Sequence, residues 1–185
     1  MRIAVVGWGS LLWSPRTLPL AGTWASDGPV LPIEFARISA DGRLTLIIEE
    51  GSEPIVTYHA LLSVSGLEEA VEALARREVC GPEHIGIWSP VKSRASVALS
   101  VLPVLASWAR ERDLEGVVWT DLPATFADRA GQPWTPPAAV EYLGGLTGPT
   151  RQRAEEYVRR APPQTRTATR TLIERCLGWT PENGD

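Results

Sequence analysis

Two short stretches of this chain carry residue types that chemistry needs: the turn Trp8-Gly9-Ser10-Leu11 and the acidic residue Glu78. The turn follows the apolar run Ile3-Ala4-Val5-Val6, which ends in Gly7. A buried strand that bends among small residues lets backbone N–H groups approach a ligand closely, and such bends suit anions. In the alternative account, Gly7 and Gly9 only permit the bend and Trp8 fills the core. Glu78 continues the stripe Leu67, Ala70, Val71, Leu74 by one more step of four, so a carboxylate occupies a core-facing helical position. Glu68, Glu69 and Glu72 fall off that stripe and belong to solvent. Burial in the last turn of a helix is one way in which a carboxyl comes to shuttle protons near neutral pH. A last turn rotated into water, or an ion pair with a nearby Arg, fits the same spacing.

Other chemistries fail on their spacing. A strand followed by G-x-G begins the dinucleotide-binding fingerprint, but Leu12 stands where the third Gly belongs and Pro15 follows. A nucleophile elbow centred on Ser10 needs glycines where Trp8 and Leu12 stand. His59 and His84 are isolated and form no recognisable triad; His59 lies in a strand-like run and reads as a core histidine. Cys80 and Cys176 are far apart and lack neighbours at ligand spacing, which leaves two reduced thiols and no metal site.

With 185 residues, 44% of them hydrophobic and 22% charged, the chain suits one ordinary globular domain. A net charge of −4 gives no general attraction to nucleic acid. No apolar run approaches the roughly 20 residues that span a bilayer, and no secretory leader is evident, so a cytoplasmic location is expected. Arg151, Arg153, Arg159, Arg160, Arg166, Arg170 and Arg175 are interleaved with Glu155, Glu156 and Glu174, as on a solvated, ion-paired helical face. A phosphate-binding patch is the competing account.

The elements that must position these residues follow from periodicity and punctuation. Strands are expected at residues 3–6, 30–38, 43–48, 55–64 and 116–120, the second and third joined by the hairpin signal Asp41-Gly42. A meander of antiparallel strands is the simplest outcome. Ser65 with Glu68 offers a capping box for a helix ending near Val79, where Gly81-Pro82 supplies the stop. Further helices are expected near 103–112, 137–146, 150–160 and 167–177. Strands early and helices late give an α+β chain rather than an alternating one.

The order of strand, Gly-Trp-Gly-Ser-Leu turn, antiparallel strands and a helix closing on Arg77-Glu78 resembles the γ-glutamylcyclotransferase superfamily. Its first strand runs into a Tyr-Gly-Ser-(Leu or Asn) turn that holds the α-amino-acid end of a γ-glutamyl substrate, and Trp8-Gly9-Ser10-Leu11 matches it. Its catalytic Glu often follows an Arg, the place of Glu78. The segment Phe35-Ala36-Arg37-Ile38-Ser39 is similar to its second strand and adds Arg37 to the substrate-binding set. Motif-level support covers about the first 80 residues; Gly116-Val117-Val118-Trp119-Thr120 and the helical tail are similar to bacterial members of unassigned substrate. The resemblance implies a small, mostly antiparallel β-barrel or curled sheet with flanking helices and a helical tail. It implies one domain over 1–185, with 137–178 as a helical extension. The implied reaction turns a γ-glutamyl small molecule into 5-oxoproline with release of an amine or amino acid, Glu78 moving the protons, without metal or cofactor. Trp8 departs from the usual Tyr, so a phenol hydrogen bond is lost or exchanged for an indole N–H. A non-catalytic pocket for an amino-acid-like ligand is the alternative.

Overall fold

The run Ile3-Ala4-Val5-Val6-Gly7 forms strand β1 (Ile3–Gly7), buried along its whole length, and its uninterrupted apolar pattern has a simple cause: both faces of the sheet around it are covered. In the computed structural model, which describes residues 1–96 and 99–182, the chain divides into two compact units. The first comprises residues 1–31 and 56–122, the second residues 32–55 and 123 onward.

The first unit holds β1, β6 (Tyr58–Leu61), β7 (Ile85–Trp88), β8 (Ser93–Arg94) and β9 (Gly116–Thr120) in one sheet of order β6-β1-β9-β7-β8. β1 and β9 run parallel, with Val5 opposite Val118; the other pairings are antiparallel. One face packs on helix α1 (Leu67–Glu78) through Ile3, Val5, Val118, Ala70, Val71 and Leu74. The alternate residue Val6 pairs with His59, whose ring meets Trp108 of helix α2 (Leu102–Glu111) edge-on, so α2 serves the opposite face. The free edge of β6 is met by an irregular segment: Ala21 and Ala25 donate to Leu61 and His59, and Gly28 to Thr57.

The second unit is built on the hairpin β3 (Ile33–Ile38) and β4 (Leu44–Ile48), closed where Asp41-Gly42 was expected to turn it. Gly42 has φ +83°, a conformation that a glycine adopts freely. Helices α3 (Phe126–Ala130), α4 (Pro136–Gly145), α5 (Gly148–Arg160) and α6 (Ala168–Leu177) complete it. Two further short strands, β2 (Val30–Leu31) and β5 (Ile55–Val56), pair with each other.

The α+β class is observed, and the described residues form a mixed sheet, not a closed barrel. No single meander exists either, because β1 takes the distant β9 as its parallel neighbour while β3 and β4 pair apart from that sheet. Pro32, which cannot donate to a ladder, separates β2 from β3. Strands β7 and β8 and helix α3 were not anticipated. Helix α1 begins without a side-chain cap at Gly66; Ser65 instead joins Glu69, through N–H and hydroxyl, at 2.8 and 2.6 Å. Its stop is Val79, in the left-handed conformation with φ 56°, rather than Gly81.

Candidate functional site

The turn after β1 is a doubly closed bend: Leu12 N–H donates to the Gly9 carbonyl at 3.0 Å and Ser14 N–H to the Ser10 carbonyl at 2.9 Å. Trp8, Gly9 and Leu11 are buried, whereas Ser10 is half-buried. Among the described residues, the N–H groups of Gly9, Ser10 and Leu11 donate to no protein acceptor. Unsatisfied consecutive amides at a bend are what an anion-holding turn requires. Gly7, just before the bend, is closely packed: a methyl there would come within 3.2 Å of Leu11 and Trp24.

Helix α1 delivers Glu78 to this turn. Its side chain is 17% exposed, and Oε1 accepts a hydrogen bond from Arg77 Nη1 at 2.7 Å. The same guanidinium donates through Nη2 to Ser10 Oγ at 3.2 Å and to the Ser14 carbonyl at 2.8 Å, with Nε adding a bond to Ser14 at 3.2 Å. Carboxylate and hydroxyl are thus separated by one guanidinium group. Glu78 Oε2 takes part in no hydrogen bond among the described residues. The expected Glu68, Glu69 and Glu72 are exposed. Arg77, by contrast, is only 6% exposed. The apolar stripe gave no sign of this, because a buried Arg reads as a surface residue until its three acceptors are known. Of the two alternatives to a lone core carboxylate, the ion pair is the one observed.

Arg37 belongs to the second unit, on β3, and donates to the Pro123 carbonyl at 2.9 Å. Trp8, Gly9, Ser10, Leu11 and Glu78 all belong to the first. His59 is half-buried rather than a core residue and lies 3.4 Å from Asp27; burial lowers its pKa against the pull of the Asp27 charge. His84 is half-buried beside Glu83. Among the described residues neither Cys80 nor Cys176 is in a disulfide, and no group of three or more His, Cys, Asp or Glu is placed to hold a metal ion. No described helix is long and apolar enough to cross a membrane. In the second unit a cavity of about 320 Å³ is lined by Gln132, Glu141, Tyr142 and Leu146, and none of the expected site residues borders it.

The basic C-terminal helices are ion-paired where their spacing suggested, Arg159 with Glu155 at 2.8 Å and Arg160 with Glu156 at 3.0 Å. Arg170 differs. It is 2% exposed and donates to the carbonyls of Ala161, Pro162 and Thr165, tying the α5–α6 connection together rather than facing solvent.

No family model, curated protein or solved structure matches this chain.

Proposed function

We propose that the first unit cyclises γ-glutamyl compounds, with Glu78 moving the protons and the Gly9–Leu11 turn holding the substrate's carboxylate. The observation that supports this best is the meeting of a turn bearing three unengaged amides with a carboxylate held one guanidinium away. In the reaction, the substrate's α-amine attacks its own side-chain amide carbonyl. The ring C–N bond forms, the exocyclic C–N bond breaks, and 5-oxoproline leaves together with an amine or amino acid. Glu78 takes a proton from the α-ammonium and returns one to the leaving nitrogen. Nucleophile and electrophile share one molecule, so the protein's main task is to hold a folded near-attack conformer. Amides aimed at a carboxylate or a developing oxyanion suit that task. The buried Trp8 presents an indole where a phenol would stand, which bears on the choice of leaving amine.

A screen of γ-glutamyl amino acids, γ-glutamyl amines and glutathione, read by mass spectrometry for 5-oxoproline, tests the reading. Turnover should appear with at least one compound, and Glu78→Gln should reduce it on the order of 10²-fold while leaving the fold intact, since Gln keeps the hydrogen bond but carries no proton. Tight binding without any 5-oxoproline would favour a binding module in the same pocket. Unchanged turnover in folded Glu78→Gln would remove Glu78 from the mechanism. Gly9→Val should abolish binding if the amides hold the carboxylate, because the ligand must approach the backbone there.

A further inference from the structure

We propose that Arg77 is the positioning residue of this site, fixing Glu78 and the turn relative to each other. The inference rests on the cyclisation reading for what is being positioned, and on geometry alone for the positioning itself. Neighbouring residues on a helix point in different directions and do not ordinarily pair. Arg77 and Glu78 do so because α1 stops there: Val79 turns left-handed, and the last side chain can swing toward its predecessor. A guanidinium taken this far out of water is costly unless its donors are used. Here Nη1 is spent on Glu78, while Nη2 and Nε grip Ser10 Oγ and the Ser14 carbonyl.

Three acceptors lying in different directions require a rigid fork, and a Lys ammonium cannot hold all of them in one place. Docking Oε1 on Arg77 leaves Oε2 as the oxygen that exchanges protons. The Ser10 hydroxyl, for its part, belongs first to Arg77, so its contribution to substrate is indirect. Arg77 touches no reacting atom in this scheme; it sets the distance between the proton carrier and the amides.

The experiment compares wild type with Arg77→Met and Arg77→Lys in three measurements. One is kcat and KM on whichever γ-glutamyl compound the wild type turns over. The second is the rate at which carbodiimide and glycine ethyl ester label Glu78, read by peptide mass spectrometry. The third is hydrogen exchange of residues 9–14. In folded Arg77→Met, kcat should fall on the order of 10²-fold and KM should rise by a smaller factor, since the loosened turn keeps its amides while the catalytic group is misplaced. Glu78 labelling and turn exchange should both accelerate, and Arg77→Lys should restore part of each. Wild-type kcat in either folded variant overturns the proposal. So do unchanged labelling and exchange in both, or in Arg77→Lys alone if Arg77→Met fails to fold. Should wild type release no 5-oxoproline, the cyclisation reading falls, while labelling and exchange still decide whether Arg77 positions Glu78 and the turn.

Discussion

In the first unit the exposed edge of β6 is met by other main chain, with residues 21–28 pairing to it backbone to backbone, whereas in the second the β3–β4 hairpin has its edges met by side chains. Trp134 Nε1 donates to the Phe35 carbonyl at 2.9 Å and Thr125 Oγ1 to that of Ile38 at 2.7 Å. The amide of Leu46 donates to the Tyr157 hydroxyl at 3.3 Å, and that of Phe35 to its neighbour Glu34 at 2.7 Å. A five-stranded sheet has few open edges for its size; a lone hairpin is nearly all edge, and each buried amide or carbonyl along it needs a partner. The lesson is where each unit is vulnerable: the first in its packing, the second in a few polar side chains.

The largest effect is therefore expected in the first unit from a single methyl. Gly86 of β7 sits opposite Trp119 of β9, and a Cβ at Gly86 would overlap the indole ring atoms of that fully buried side chain. Gly86→Ala should cost about 3 kcal/mol or more by forcing the ring and backbone apart. Urea unfolding would measure it. A loss below about 1 kcal/mol would mean that the packing relaxes cheaply, and the contrast between the units would weaken.

In the second unit the matching test removes polar groups without crowding. Glu34 is 2% exposed, and its two oxygens accept from Phe35 and Thr169 amides. Glu34→Ala leaves both amides without an acceptor, and a loss of about 2–3 kcal/mol is expected. Tyr157→Phe removes one hydroxyl from Leu46 and should cost about 1 kcal/mol, with faster amide exchange confined to β4. Should either variant match wild type in stability and local exchange, side-chain closure of this hairpin would not be a source of its stability.

The same division governs what could be read in advance. Elements announced by main-chain periodicity or punctuation were legible: β1, β9, α1 and the Asp41-Gly42 turn, as well as the last three helices to within two residues. Pairings between distant segments were not. Nothing local tells β1 to take β9 rather than its nearer neighbours, and β7 with its Gly86 lacks a clear alternation. At the site, the turn and Glu78 carried their own signals, but Arg77 did not. Its burial depends on the carbonyl of Ser14, 63 residues away in sequence. Long-range polar partners leave no periodic trace, and this hid the contacts that Arg77 makes with Ser10 and Ser14 and that Glu34 makes with Thr169.

The smallest expected effect tests an exception in the first unit, where a titratable side chain joins the packing. The His59 ring meets Trp108 edge-on, and its buried Nδ1, 3.4 Å from an Asp27 oxygen, makes no hydrogen bond. Arg112 stacks over Trp108 and bonds Asp27 at 2.9 Å. Burial lowers the His59 pKa; the Asp27 charge opposes that shift and the Arg112 charge adds to it. The folded state therefore binds a proton less readily than the unfolded chain, whose His titrates at about 6.5. It follows that the stability due to neutral His59 is complete above that value and is lost as the pH falls from there through the lower folded-state pKa. Urea unfolding at about pH 7.5 and about pH 5.5 should show wild type losing more stability on acidification than His59→Gln, which cannot take up the proton. The difference should be modest, since Asp27 partly offsets the cost of burial. Equal losses in the two proteins would show that the ring is protonated at no net cost, and the first unit would then have no polar weak point on this face of its sheet.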